Sequence, residues 1–209
     1  MKLYTHPLSS NARRVRLVVH HLGLPVSEEI VDLAKGAQRS PEYLALNPMG
    51  KVPTLVDGEL KLTESYAIMI YLCEKSGRRE LYPDELSSRT DINRWMFWGA
   101  NEWSPIIARL NFENMLKPML GIGAPDPARV QEAENAFRNN ATVLDNHLQS
   151  RPYVLGKNLS LIDFALSASL ATAVPAKVPV SEFKQVSAWQ ARIEQLPAWK
   201  ATAAAPPKA

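Results

Sequence analysis

The run Asn47-Pro48-Met49-Gly50-Lys51-Val52-Pro53-Thr54-Leu55-Val56 constrains the fold more than any other stretch of the chain. Asn47-Pro48 and Gly50 are turn chemistry, and Thr54–Val56 reads as a short strand closed by the turn Asp57-Gly58. Proline has no N–H to give a ladder, so Pro53 belongs at a strand start, an edge or a cis bond. A cis Val52-Pro53 bond would reverse the chain and turn the N–H and C=O of Val52 outward, an edge that a short peptide can join as an added strand. Glu64-Ser65 then opens a helix, Ala67 to about Lys75, and free N–H groups at a helix start suit a carboxylate. Together the two features fit a small acidic peptide.

Around this run the pattern alternates. Lys2–Thr5 reads as a first strand, and Val15, Val18, Val19 and Leu22 fall at helical spacing over Asn11–Leu22, with Gly23 as the cap. Val26–Leu33 reads as a second strand, which makes a parallel pair with a right-handed crossover. A loop over Ala34–Arg39 and a short helical piece over Pro41–Leu46 precede Val52-Pro53, and Thr54–Val56 with Glu59–Leu62 form a hairpin before the closing helix. This β-α-β-α-β-β-α order resembles the thioredoxin fold. The Cys-x-x-Cys of dithiol exchange is replaced at the first helix start by Ser9-Ser10-Asn11-Ala12, which excludes exchange by the protein's own thiols.

Strand signals cease beyond the turn-rich segment Gly77–Asp84. Ile92, Trp95, Met96, Trp103, Ile106, Ile107 and Leu110 mark one long helix from Asp91 to about Lys117, kinked by Pro105. Asp126-Pro127 is a helix start, and Val130, Ala133, Phe137, Leu144 and Leu148 carry the helix that follows. Ser160-Leu161-Ile162-Asp163 reads as a capping box ahead of Phe164–Ala173, a buried central helix. Val186, Trp189 and Ile193 mark another. The expected organisation is therefore an α/β thioredoxin-like domain at 1–78, a linker at 79–87, an all-α domain at 88–200 and a flexible tail at 201–209.

Totals narrow the function. The 24 Lys and Arg against 21 Asp and Glu are scattered, which reads as a solvated surface and not as a nucleic-acid footprint. Cys73 is the single cysteine, so no internal disulfide framework exists and a reducing compartment is favoured. Met1-Lys2 runs directly into a strand, with no signal peptide and no membrane span, so the expectation is a cytoplasmic protein. His20-His21 are adjacent and lack the spacing of ligands on a helix, so no metal is assigned.

Lys51-Val52-Pro53, Glu64-Ser65 and Leu3-Tyr4-Thr5-His6-Pro7-Leu8-Ser9-Ser10-Asn11-Ala12-Arg13-Arg14 resemble the cytosolic glutathione transferase superfamily, in its bacterial-type, serine-containing form. The resemblance runs from Met1 to about Trp199. It implies a homodimeric detoxification enzyme that conjugates reduced glutathione, its co-substrate, to an apolar electrophile met by side chains of the helical domain. Ser9 aligns with the serine of the serine-type classes and would donate to the glutathione sulfur, with Asn11 and then Ser10 as competitors. Val52 would pair with the cysteinyl backbone and Pro53 would be the cis residue that exposes it. Glu64 and Ser65 would hold the γ-glutamyl end, and Gln38, Arg39 and Lys51 would face the glycyl carboxylate.

Plainer roles stand beside these. Ser9, Ser10 and Asn11 could simply cap the first helix, Glu64-Ser65 the third, and Arg39 could be a solvated surface residue. Cys73 and Met69 fall on the face of their helix opposite Ile68, Tyr71 and Leu72, which reads as burial and not catalysis. Trp98 and Trp103, with Leu8, are candidates for an electrophile pocket. Two other functions share the fold: glutathione-dependent reduction of disulfides or peroxides, and a non-catalytic interaction module. The intact set Ser9, Val52, Pro53, Glu64 and Ser65 argues against the module, which would have no physical need for all five.

Overall fold

The computed structural model describes residues 1–203. Its four strands, β1 (Lys2–Thr5), β2 (Ser27–Ile30), β3 (Thr54–Asp57) and β4 (Leu60–Leu62), form one sheet in the order β2-β1-β3-β4. β1 and β2 run parallel, while β3 is antiparallel to both β1 and β4. The crossover between β1 and β2 is α1 (Ser10–Leu22), which buries Val15, Val18, Val19 and Leu22 and ends on Gly23 in the left-handed region at φ 61°. A 3₁₀ turn (Ala37–Arg39) and α2 (Pro41–Leu44) lead to β3, and α3 (Ser65–Ser76) follows β4. The thioredoxin-like order expected from the sequence is therefore present.

Two strand and helix assignments need correction. The second strand covers four residues and not the eight of Val26–Leu33. Val31 still donates to the Thr5 carbonyl at 2.8 Å, and Asp32 then accepts from Lys35 N–H at 3.1 Å and turns the chain away. In α3, Ile68, Met69, Leu72 and Cys73 are all fully buried on one continuous face, so Cys73 and Met69 are buried as expected but beside Ile68 and Leu72 and not opposite them, while Ala67 and Lys75 are exposed.

Residues 1–82 pack as one unit together with the segment from Gln195, and Pro83–Glu194 pack as another. In the first unit α10 (Pro197–Ala201) lies on α1. Arg13 carries much of that contact: its guanidinium stacks on the Trp199 ring 3.9 Å from the centroid and donates to the Trp199 carbonyl at 3.1 Å. Buried Arg14 places its guanidinium 4.5 Å from the Tyr66 ring and so ties α1 to the first turn of α3. Of the tail read at 201–209, Ala201 closes α10, and residues 204–209 lie outside the described residues.

The second unit is helical. The single long helix expected over Asp91–Lys117 is a series: α4 (Leu86–Trp98), a π-helical turn (Gly99–Trp103), α5 (Ser104–Asn111), a second π-helical turn (Phe112–Leu116) and α6 (Lys117–Met119). Pro105 sits in the first turn of α5, where a missing N–H costs nothing, and the π-helical turn ahead of it takes up the interruption. α7 (Pro127–Leu148) is capped by Asp126, whose carboxylate accepts from Ala128 N–H at 3.0 Å. α8 (Leu161–Ser167) is buried along its whole length and passes into a 3₁₀ turn (Ala168–Thr172), so the regular helix is shorter than Phe164–Ala173. α9 (Lys184–Glu194) completes the unit.

At the centre of this unit Asp163 accepts from the Ser160 N–H at 2.8 Å, the Ser160 hydroxyl at 2.7 Å, Val154 N–H at 2.9 Å and Trp189 Nε1 at 2.9 Å. The acid expected to close the cap of α8 thus also joins α8 to α9. Trp103 is fully buried and donates Nε1 to the Leu166 carbonyl at 3.1 Å, so it is a core residue and not a pocket wall. Half-buried Trp98 stacks on it at 5.5 Å, while Leu8, in the first unit, is exposed.

Candidate functional site

The Val52-Pro53 bond is cis. Its setting is built by three buried polar side chains that converge on the carbonyl just before it. Tyr43 Oη and Asn47 Nδ2 each donate to the Lys51 carbonyl at 2.7 Å, and Thr54 Oγ1 lies 3.4 Å from it. They also bond one another: Asn47 Nδ2 to Thr54 Oγ1 at 3.1 Å, with the Tyr43 and Thr54 hydroxyls 3.0 Å apart. Asn47 Oδ1 accepts from Met49 N–H at 3.0 Å, which folds the turn into Gly50. Burial pushes the Tyr43 hydroxyl above the usual tyrosine pKa, so it stays a donor. In the sequence Asn47 reads only as a turn residue, Thr54 only as a strand start and Tyr43 only as part of a short helical piece.

This network holds Val52 with its side chain buried against Val31 and Tyr43. Among the described residues, nothing hydrogen-bonds the N–H or the C=O of Val52. A cleft of about 110 Å³ opens beside it, lined by Asn11, Asn47, Met49, Lys51, Val52, Pro53, Thr63, Glu64 and Ser65. Gly50 shapes the far side of the loop: at φ 59°, a Cβ there would meet Arg39 Nη1 at 2.8 Å and the Gln38 carbonyl at 2.9 Å.

The floor of the cleft is the start of α3. Glu64 stands at the N-cap with φ 64° and ψ 110°, a backbone conformation that a residue with a side chain adopts only when its surroundings impose it. Such outliers concentrate where a ligand must be met. Ser65 follows, 6% exposed, with no hydrogen bond to its hydroxyl among the described residues. The N–H groups of the first helical turn have no intrahelical partners and carry the positive end of the helix dipole, which attracts a carboxylate.

Of the residues singled out in the sequence, Asn11, Lys51, Val52, Pro53, Glu64 and Ser65 come together around the cleft. Ser9, Ser10, Gln38 and Arg39 do not line it. Ser9 is the N-cap of α1, its Oγ accepting from Ala12 N–H at 3.2 Å. Because that oxygen acts there as an acceptor, the hydroxyl proton stays free to donate. Ser10 is the first residue of α1. Gln38 and Arg39 belong to the 3₁₀ turn that packs over Gly50; Gln38 Oε1 is buried without a partner, and Arg39 is exposed. Thr63 and Met49 line the cleft without having been singled out.

Cys73 is far from suited to chemistry of its own. It is fully buried, and burial pushes its thiol up to about 12, well above the range of a reactive cysteine. Among the described residues no group of three or more His, Cys, Asp or Glu could hold a metal ion, and no helix is long and apolar enough to cross a membrane.

Comparison with known proteins agrees with this geometry. The family model for the glutathione S-transferase N-terminal domain matches residues 1–74. Glutathione S-transferase 3 of Zea mays is 36% identical over 212 residues, covering 99% of this chain and 95% of that protein. The crystal structure of glutathione transferase F7 from Populus trichocarpa superposes with a TM-score of 0.89 at 29% identity, covering 96% of both chains. A glutathione S-transferase I structure with lactoylglutathione bound gives a TM-score of 0.88 at 28% identity, over 97% of this chain and 98% of that one. With a sheet, a cis-proline loop, a helix-start cleft and full-length relatives all in agreement, the chain belongs to the glutathione S-transferase family.

Proposed function

We propose that this chain is a glutathione transferase that binds reduced glutathione in the cleft beside Val52 and conjugates its thiolate to an apolar electrophile. The observation that carries the reading is the unpaired main chain of Val52, held beside a helix start by the Tyr43–Asn47–Thr54 network. In the proposed complex Val52 pairs with the cysteinyl N–H and C=O. The γ-glutamyl carboxylate takes the Ser65 hydroxyl and N–H, and Glu64 faces the amino group. Lys51 meets the glycyl carboxylate, with Gln38 and Arg39 alongside in the turn over Gly50.

The chemistry required is modest. A free thiol has a pKa near ~8.5, and lowering it by about two units makes the thiolate dominant at neutral pH, which asks roughly 3 kcal/mol of the site. A hydroxyl donor and a helix start supply energies of that order. Ser9 holds both: its proton is free, and it caps the N-terminus of α1, a 13-residue helix. The thiolate then attacks the electrophile directly, so no general base is needed. Asn11, which lines the cleft, is the alternative donor, with Ser10 behind it.

In this reading residues 1–78 are the glutathione-binding domain and residues 88–200 a separate all-helical domain. The enzyme works as a cytoplasmic homodimer in detoxification, as the family resemblance implies, without a metal. Retention of the purified chain on immobilised glutathione, followed by assays with an aryl halide and with a disulfide substrate, tests it. Retention with aryl-halide turnover is expected. Turnover of the disulfide alone would reassign the protein to reduction, and retention without either activity to a binding module.

A further inference from the structure

A second groove in the first unit, sharing no lining residue with the glutathione cleft, runs along the free edge of the sheet. β2 is the outermost strand, and β1 pairs it on one side only. Ser27 N–H donates to the Met1 carbonyl and Val31 N–H to the Thr5 carbonyl, so the two-residue period of the ladder turns the main chains of Glu28 and Ile30 outward. The Ile30 side chain is 65% exposed. Beside this edge is a groove of about 340 Å³ whose walls include Tyr4, Glu29, Ile30, Asp32, Glu42 and Tyr43, and no Lys or Arg lines it. Tyr4 and Tyr43 meet edge to face at 5.8 Å and give it an aromatic floor.

We propose that this edge docks an extended peptide segment bearing lysine or arginine, which adds to β2 as a fifth strand. The charge decides the occupant. Among the described residues the ion-pair partners of Glu29 and Asp32 are the exposed lysines Lys2 and Lys35, pairs that contribute little and exchange readily. Glu42 is exposed and has no ion-pair partner among the described residues. A second copy of β2 laid on this edge would set Glu29 against Glu29, Glu28 being paired with Arg16 at 2.7 Å, which disfavours self-pairing. A basic strand places its lysines on the face of Glu29 and Tyr4, where they meet Glu29, Asp32 and Glu42 with their aliphatic stems over the tyrosines, while its main chain bonds Glu28 and Ile30 and its apolar side chains, on the opposite face, cover Ile30.

The test is fluorescence anisotropy of a dye-labelled, capped hexapeptide of alternating valine and lysine, titrated with the full chain. Saturable binding is expected. Ile30→Pro, which removes an outward N–H, and Glu42→Lys, at an exposed position whose side chain makes no hydrogen bond or ion pair among the described residues, should each weaken it about tenfold, while retention on immobilised glutathione stays unchanged. The same peptide N-methylated at every residue, unable to pair with a strand through either edge, should also bind about tenfold more weakly. Failure of the lysine peptide to bind would overturn the proposal. So would equal binding of the N-methylated peptide, or of a peptide with glutamate in place of lysine.

Discussion

Asn47 donates its side-chain amide to the carbonyl of Lys51 at 2.7 Å, and with Tyr43 it sets the direction in which the next residue, Val52, presents its main chain. Replacing Asn47 with Ala leaves Tyr43 on that carbonyl but withdraws one donor from it and one partner from Thr54. Loss of a buried hydrogen bond of this kind costs about 1–3 kcal/mol. The expected outcome is a lower denaturation midpoint and a raised KM for glutathione, with kcat changed far less, since the loop and not the sulfur is disturbed. Chemical denaturation and steady-state kinetics on Asn47→Ala check both.

Gly50 is the adjacent constraint. Its positive φ and the backbone carbonyl of Gln38 2.9 Å from any Cβ leave no relaxed place for alanine. Arg39 can swing aside, but the carbonyl cannot. Gly50→Ala should lose about 1–2 kcal/mol of stability and weaken glutathione binding, read by denaturant titration and by calorimetry.

Cys73 gives a pH prediction. Its folded pKa, about 12, lies above the unfolded value, so between the two the folded state keeps a proton that the unfolded chain releases. That contribution to stability is complete below about pH 8.5 and falls as pH rises toward 12, by up to ~1.4 kcal/mol per unit. Cys73→Ala removes this component, so the difference in stability between wild type and variant should shrink above pH 9. The native thiol should also resist a disulfide reagent that titrates it fully in denaturant.

In the helical unit, Asp163 has four donors aimed at it. An asparagine amide nitrogen cannot accept, so Asp163→Asn would set N–H groups against N–H groups in a fully buried site. A loss of about 3 kcal/mol is expected, seen in thermal melting, while the bound thiol's pKa in the surviving folded fraction is unchanged.

Local chemistry made much of this legible in the sequence. Pro53 announced the reversed turn, Gly23 the end of α1, and Asp126-Pro127 the start of α7, because each acts within a few residues of itself. The periodic stripe over 91–117 also locates buried residues, all but the half-buried Ile106, but a period cannot register the extra residue of a π-helical turn, so the stripe reads as one helix where five pieces stand. The strand at 26–33 was overread because Val31 and Leu33 are apolar for another reason: Val31 is buried against Tyr43 and Val52, and Leu33 packs partly buried against the same cluster. The Tyr43–Asn47–Thr54 cluster was invisible because three ordinary polar residues converge only after the chain has folded. The stacking of Arg13 on Trp199 joins positions 186 apart and left no local trace.

The central claim is that the cleft beside Val52 holds glutathione with its sulfur ionised by a donor at the start of α1. The direct measurement is the pH titration of thiolate ultraviolet absorbance for glutathione bound to the wild-type chain, to Ser9→Ala and to Asn11→Ala. The account predicts a bound thiol titrating about two units below free glutathione in the wild type, and returning at least one unit toward it in Ser9→Ala. A wild-type complex whose thiol titrates like free glutathione would contradict it, and a shift abolished by Asn11→Ala but untouched by Ser9→Ala would move the donor to Asn11.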